Sequence, residues 1–261
     1  MSKPPPISLS GKVIVQWGGS GLLGQALARD LAGCGATLTI VSRDPAKLST
    51  LTSEIQAQGQ TVSLESADLG SETSIHGVRD RVLARHGRID GFVYNAVARP
   101  MRTMDDDLSA WRESMETNAT GCFAVLRAFG DVLAARQLGS MVAVSSIQGM
   151  GGPQEWLYAG TPLSSRPDYF FHKAGLINFA RYLAAHYGPR GVRVNTVSPG
   201  GIFDPDAPQP AAFVERYQSL TMLGRMAAAH EVSGAVAFLL SDASAYVTGV
   251  NLPVDGGYSA K

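Results

Sequence analysis

Short, nearly all-apolar runs alternate with longer stretches of helical period along almost the whole chain. The runs are Val13 to Val15, Thr37 to Val41, Val62 to Leu64, Phe92 to Tyr94, Met141 to Val144, Val192 to Val197 and Asn251 to Val254. Between them, Leu22 to Leu31, Ala46 to Gln58, Glu72 to His86, Leu108 to Ala135, Tyr169 to Tyr187 and Glu231 to Leu240 read as helices. Strands that are apolar on both faces belong inside a parallel sheet covered by helices, and the alternation gives βαβ units. The pattern predicts an α/β fold: a single doubly wound Rossmann domain with a seven-stranded parallel sheet flanked by helices. No linker, composition break or fixed-period repeat divides residues 1–261. Residues 1–10 read as a flexible N-terminus. Residues 149–168 and 199–226 are long irregular stretches, expected to be substrate-side loops.

Composition narrows the function classes. Basic and acidic residues balance at 22 each, and charged residues make up only 17% of the chain, against about 25% in an average soluble domain. That balance, with no Lys/Arg tract, leaves no electrostatic basis for binding nucleic acid or an anionic membrane. No run approaches the roughly 18 apolar residues of a membrane span. The first ten residues, with Pro4, Pro5 and Pro6, lack an apolar signal-peptide core. Cys34 and Cys122 are isolated, so neither a disulfide framework nor a metal site is expected, and the cytoplasm is the expected compartment. Glycine is in surplus, 29 residues where average usage gives roughly 18. The surplus gathers at the ends of predicted strands.

One such cluster, Gly18-Gly19-Ser20-Gly21-Leu22-Leu23-Gly24, lies between the first strand and first helix. Gly19, Gly21 and Gly24 fit G-x-G-x-x-G. Glycines there let backbone N–H groups approach a pyrophosphate, and the helix N-terminus adds partial positive charge. The second strand ends Val41-Ser42-Arg43, where an arginine accommodates the 2′-phosphate of NADP and an acid binds the ribose of NAD. Arg43 therefore favours NADP(H), while the adjoining Asp44 keeps NAD(H) open. Tyr169 and Lys173 lie four apart on a predicted helix and share a face. An ammonium beside a phenol lowers its pKa from about 10, which makes Tyr169 a candidate general acid/base.

In chain order these motifs resemble those of the short-chain dehydrogenase/reductase family. The glycine loop is followed by Asp68-Leu69, Asn95-Ala96, Asn118 and Ser145-Ser146, then by Tyr169 with Lys173 and by Ser198-Pro199-Gly200-Gly201. Tyr246-Val247-Thr248-Gly249 and Val254-Asp255-Gly256-Gly257 are similar to the family's C-terminal signature. The resemblance implies a catalytic set of Asn118, Ser146, Tyr169 and Lys173. Tyr169 would exchange the proton with a carbonyl or alcohol, and Ser146, rather than Ser145, would orient it. Lys173 would lower the tyrosine pKa and bind the nicotinamide ribose. Asn118 would hold a water of the proton relay. Cofactor contacts would come from Gly18, Gly19, Ser20, Gly21, Leu22, Leu23 and Gly24, and from Ser42, Arg43, Asp68, Leu69, Asn95 and Ala96. Pro199, Gly200 and Ile202 would lie at the nicotinamide, and residues 199–226 would close over a small carbonyl or alcohol substrate.

Trp17 stands where the family usually has Thr, and Val97 where it has Gly. Ser146 and Tyr169 are 23 residues apart, a long gap for the family. Gln148, Trp156 and Tyr158 in that gap are expected on the substrate side. These departures keep two other functions open: a catalytically silent dinucleotide sensor or scaffold, and oxidation of a sugar hydroxyl within an epimerisation. Three further expectations concern single features. His172, within the Tyr169–Lys173 segment, reads as a solvent or interface residue. Asp105-Asp106-Asp107 reads as helix capping, and Met150, Met222 and Met226 as lid or gap-filling residues. Apolar positions in the helices at Leu108 to Ala135 and Tyr169 to Tyr187 exceed what one sheet face needs, and family members pair through these helices. A homotetramer or homodimer is therefore expected.

Overall fold

Val13 to Trp17 alternates its side chains between two apolar layers, and the rest of the sheet follows that register. In the computed structural model, which describes residues 7–261, β1 (Val13–Trp17) is flanked by β2 (Thr37–Ser42) and β4 (Gly91–Tyr94). β3 (Val62–Ser66), β5 (Gly139–Val144), β6 (Val192–Pro199) and β7 (Asn251–Val254) complete a parallel sheet of seven strands, ordered β3-β2-β1-β4-β5-β6-β7. This is the doubly wound Rossmann architecture expected from the alternation. The order reverses between β1 and β4, and a crevice opens there at the carboxyl ends of the strands.

The described residues form eight α-helices: α1 (Leu22–Gly33), α2 (Ser49–Ala57), α3 (Glu72–His86), α4 (Leu108–Met115), α5 (Cys122–Ala135), α6 (Pro167–Tyr187), α7 (Ala211–Leu220) and α8 (His230–Leu240). Val13, Val15 and Trp17 pack with Val78, Val125, Phe129 and Leu183 on the α3/α5/α6 face. Ile14, Leu38, Ile40 and Val142 pack with Leu27, Leu31, Ile55 and Val236 on the other. A smaller cluster of Leu157, Phe213, Tyr217 and Met226 ties α7 to the 149–168 stretch above the strand ends.

Three local expectations are corrected. The single helix expected over Leu108 to Ala135 is interrupted: Glu116–Gly121 is a π-helical turn between α4 and α5. The helix passes very close to the chain after β3 here, since a Cβ on Gly121 would lie 2.5 Å from the Leu69 carbonyl oxygen. The acidic run does not cap α4, because Asp107 makes no side-chain cap bond. Instead the Asp106 carboxylate accepts the N–H groups of Arg102 and Thr103 and closes the preceding turn. Of the N-terminal stretch expected to be flexible, residues 1–6 lie outside the described residues. Leu9 is buried, and its N–H donates to the Cys34 carbonyl at 2.9 Å.

Candidate active site

The phosphate-side wall is built by glycines that differ in what they permit. Gly18 has φ +95°, and a Cβ there would stand 2.5 Å from the Ala96 nitrogen. A Cβ on Gly24 would lie 2.5 Å from the Gly18 carbonyl oxygen. Both positions let backbone meet backbone. Gly21 faces open space and is the N-cap of α1 with no side-chain cap bond, so first-turn N–H groups remain free toward the cleft. Gly19 is displaced from the expected role: it does not line the cleft, and a Cβ there would fall 2.1 Å from Ile40 Cγ2. Its bareness seats the loop on β2. Trp17 leaves the loop unobstructed because its indole turns down against Phe129, edge to face, with centroids 6.2 Å apart. The Asn95 amide donates to the Gly18 carbonyl at 2.8 Å and props the loop from β4.

This loop forms one end of a continuous cleft of about 1330 Å³. The other expected cofactor positions Ser20, Leu22, Leu23, Ser42, Arg43, Asp68, Leu69, Ala96, Pro199, Gly200 and Ile202 line it as well. Lys47, missed in the sequence, also lines it and pairs with Asp44 at 3.5 Å. Its spacing of four from Arg43, just past a strand end, was the available signal.

Ser146, Tyr169 and Lys173 meet in the middle of the cleft. The Lys173 ammonium donates to the Val144 carbonyl at 2.6 Å and lies 5.3 Å from the centroid of the Tyr169 ring. The guanidinium carbon of Arg99, a loop residue that no sequence motif marks, stands 4.9 Å from the same centroid. Burial pushes the phenol upward. The Lys173 and Arg99 charges, with hydrogen bonds from Ser146 and Arg99, outweigh it and hold Tyr169 below its ordinary value of 10. Burial lowers the Lys173 pKa, and the Tyr169 charge opposes that shift only in part. Ser145 faces the other way: its hydroxyl donates to the Lys173 carbonyl at 2.8 Å and ties β5 to α6.

Asn118 sits just behind the cleft wall. It does not line the cleft, and its amide is spent on protein. Its Oδ1 accepts the Ala98 N–H at 2.8 Å, and its Nδ2 donates to the Ala98 carbonyl at 2.9 Å and to Ser114 at 3.0 Å. The side chain thereby clamps the segment leading to Arg99, and a relay water at Asn118 would fall to its backbone carbonyl. His172 is also corrected: it is buried, with Nε2 3.0 Å from the Ser114 hydroxyl. That hydroxyl donates to the wholly buried Asp168 at 2.6 Å, and Asp168 accepts the Tyr169 N–H at 2.9 Å. Four-residue spacing turns His172 toward α4, where these partners wait.

On the substrate side, Gln148 and Tyr158 line the cleft, and the Gln148 amide donates to the Tyr158 hydroxyl at 2.9 Å. Burial raises Tyr158 to about 12, so it is a neutral hydroxyl here. Trp156 does not line the cleft. Glu155–Leu157 is a single 3₁₀ turn that sends Leu157 inward and Trp156 outward. Of the three methionines, Met226 alone reaches the cleft wall. Leu157, Phe213 and Tyr217 share that wall. The Tyr217 hydroxyl accepts the Gly201 N–H and pins α7 to the strand end.

Comparisons with known proteins agree with this geometry. A family model described as enoyl-(acyl carrier protein) reductase matches residues 20–259. The chain is 31% identical to the 3-oxoacyl-[acyl-carrier-protein] reductase of Salmonella typhimurium, covering 96% of this chain and 98% of that protein. It is 33% identical to a cis-4-hydroxycyclohexanecarboxylate dehydrogenase from Sinomonas cyclohexanicum, covering 95% and 97%. Its structure is similar to that of a gluconate 5-dehydrogenase from Burkholderia cenocepacia in complex with NADP and tartrate. The TM-score there is 0.87, at 26% identity, covering 98% of each chain. With the ordered motifs, the sheet order and the Ser146–Tyr169–Lys173 cluster all in place, the chain belongs to the short-chain dehydrogenase/reductase family of oxidoreductases.

Proposed function

We propose that the protein is an NADP(H)-preferring reductase that interconverts a ketone and a secondary alcohol, with Tyr169 as general acid/base. The observation that carries this reading is Tyr169 sharing the cleft with Ser146, with two cations at its ring at 4.9 and 5.3 Å from the centroid. A dinucleotide fits: the bare Gly21, the free first turn of α1 and the cleft running on to Tyr169 leave the room and the donors it needs. When bound, it supplies or accepts the hydride. In reduction, the Tyr169 hydroxyl donates its proton to the carbonyl oxygen, which Ser146 orients. In oxidation, Tyr169 takes the proton of the alcohol. A well-placed general acid is worth roughly 10²–10⁴-fold. Tyr169→Phe should therefore lose turnover by about that factor while NADPH still binds by fluorescence titration. Wild-type kcat in that variant would refute the role, and a wild type that binds NADPH but turns over no ketone or alcohol would favour the silent sensor.

Arg43 and Lys47 together support NADP(H) over NAD(H), as two cations that line the cleft just past the end of β2, where an arginine would accommodate a 2′-phosphate. A charge-assisted hydrogen bond contributes about 1.5–3 kcal/mol, or roughly 10–150-fold in affinity. Arg43→Ala should weaken NADPH binding within that range and leave NADH binding nearly unchanged; equal losses for both would count against the preference. We further read the chain as one domain acting in the cytoplasm as a homotetramer or homodimer. The single sheet, the two free cysteines and the apolar faces of α5 and α6 support that reading.

A further inference from the structure

We infer that the substrate is a short hydroxy acid or oxo acid, and that its carboxylate is bound by Arg99. The inference rests on the reading of Tyr169 as the group that meets the reacting oxygen. Arg99 is exposed at the cleft mouth, and its side chain forms no ion pair among the described residues. Its guanidinium carbon stands 4.9 Å from the centroid of the Tyr169 ring.

The backbone that carries it is held on both sides. Asn118 clamps Ala98 through both ends of its amide. The Arg166 guanidinium donates to the Arg99 carbonyl at 2.9 Å and to the Met101 carbonyl at 3.0 Å. Two side chains from distant elements thus fix the base of an arginine whose head has no acid to meet. Arg102 lines the same mouth, also without an ion pair among the described residues. The acids that line the cleft are Asp44, Asp68, Glu113 and Asp204: Asp44 pairs with Lys47, Asp68 accepts the Gly70 N–H, and Asp204 accepts the N–H groups of Asp206 and Ala207.

A guanidinium fork left free beside the reacting centre matches a carboxylate, which it binds through two parallel hydrogen bonds. Arg99 stands over the ring whose hydroxyl serves the reacting oxygen, so the carboxylate must belong to the same short carbon chain as that oxygen. Oxidation then converts the secondary alcohol of the acid to a ketone. The hydride passes to NADP⁺ and the alcohol proton to Tyr169, while the carboxylate is unchanged.

The test uses matched pairs that differ in the carboxylate: gluconate with sorbitol, tartrate with threitol, and 3-hydroxybutyrate with 2-butanol. Each is assayed with the NADP⁺-loaded protein. For at least one pair, the acid should exceed its neutral partner in kcat/KM by about tenfold or more. Arg99→Gln should collapse that ratio by roughly 10–100-fold, chiefly through KM of the acid. Any effect of Arg99 on the Tyr169 pKa falls on both members of a pair and cancels in the ratio. The same acids are also titrated against the NADPH-loaded protein by fluorescence. Acid binding that needs Arg99 without turnover would sink the oxidoreductase reading and leave the carboxylate site standing. Neutral partners turned over as well as the acids, a ratio unmoved by Arg99→Gln, or neither turnover nor binding of any acid would overturn the inference.

Discussion

At the residue scale, Tyr169 shows how one site reverses a burial penalty. A phenol this deep would by itself titrate above 10, yet Lys173 and Arg99 bring it below. The sign of the consequence follows directly. Oxidation needs the phenolate, whose fraction rises with pH, so kcat/KM for alcohol oxidation should climb and level off at an apparent pKa below 10. Lys173→Met removes the largest favourable charge and should move that limb to higher pH as well as lowering the rate. An unmoved limb would show that Lys173 does not tune Tyr169. Lys173 and Tyr169 were legible in the sequence because helical spacing alone puts them on one face. Arg99 was not, because it lies in a loop and reaches Tyr169 only through the fold. Trp156 misled for a related reason: a loop has no period to say which way an aromatic ring points.

At the scale of elements, the strands were legible to within one or two residues at their ends, since burial between two layers leaves each strand a short apolar run, and the ends were missed where polar residues such as Gln16, Ser42 and Glu65 continue the ladder. The break between α4 and α5 was not, because one wide turn adds too little phase to disturb a helical pattern. That break bears on function: Asn118 lies within it and reaches Ala98. It also lies one turn from Ser114, through which α4 grips Asp168 and His172 at the start of α6. Burial lowers the His172 pKa below 6.5, with Lys173 adding to the effect and Asp168 opposing it. Between that lowered value and about 6.5, the unfolded chain binds more protons than the folded one, so stability falls as pH drops through this window. His172→Gln keeps a hydrogen-bonding side chain without the titration. Its melting temperature should decline less than that of the wild type between about pH 7 and 5. Parallel declines would show that His172 titrates alike in both states.

At the scale of the whole molecule, the apolar faces that the sheet does not use must be accounted for. Phe123 on α5 and Phe171 and Tyr182 on α6 are 47%, 54% and 64% exposed. Phe171 lies against Trp111 of α4 at 5.2 Å, while Phe123 stands 6.0 Å from Phe179 and Phe179 is 6.2 Å from Tyr182, centroid to centroid, in one row across α5 and α6. A contiguous aromatic row on charge-poor helices is costly to leave in water, and covering it with the same row from a second copy removes both from solvent. The row also adjoins the chemistry, because α6 carries Tyr169 and Lys173 on its first turns and α5 continues from the turn that holds Asn118. Light scattering at micromolar concentration should therefore show a dimer or tetramer. Phe123→Glu with Tyr182→Glu should dissociate it by setting unpaired charges against each other across the interface. If assembly stiffens α5 and α6, the dissociated protein should lose turnover while the glycine loop, held from β2 and β4 by Gly19 and Asn95, still binds NADPH. A wild-type monomer would refute the interface, and a dissociated variant with full turnover would separate assembly from catalysis.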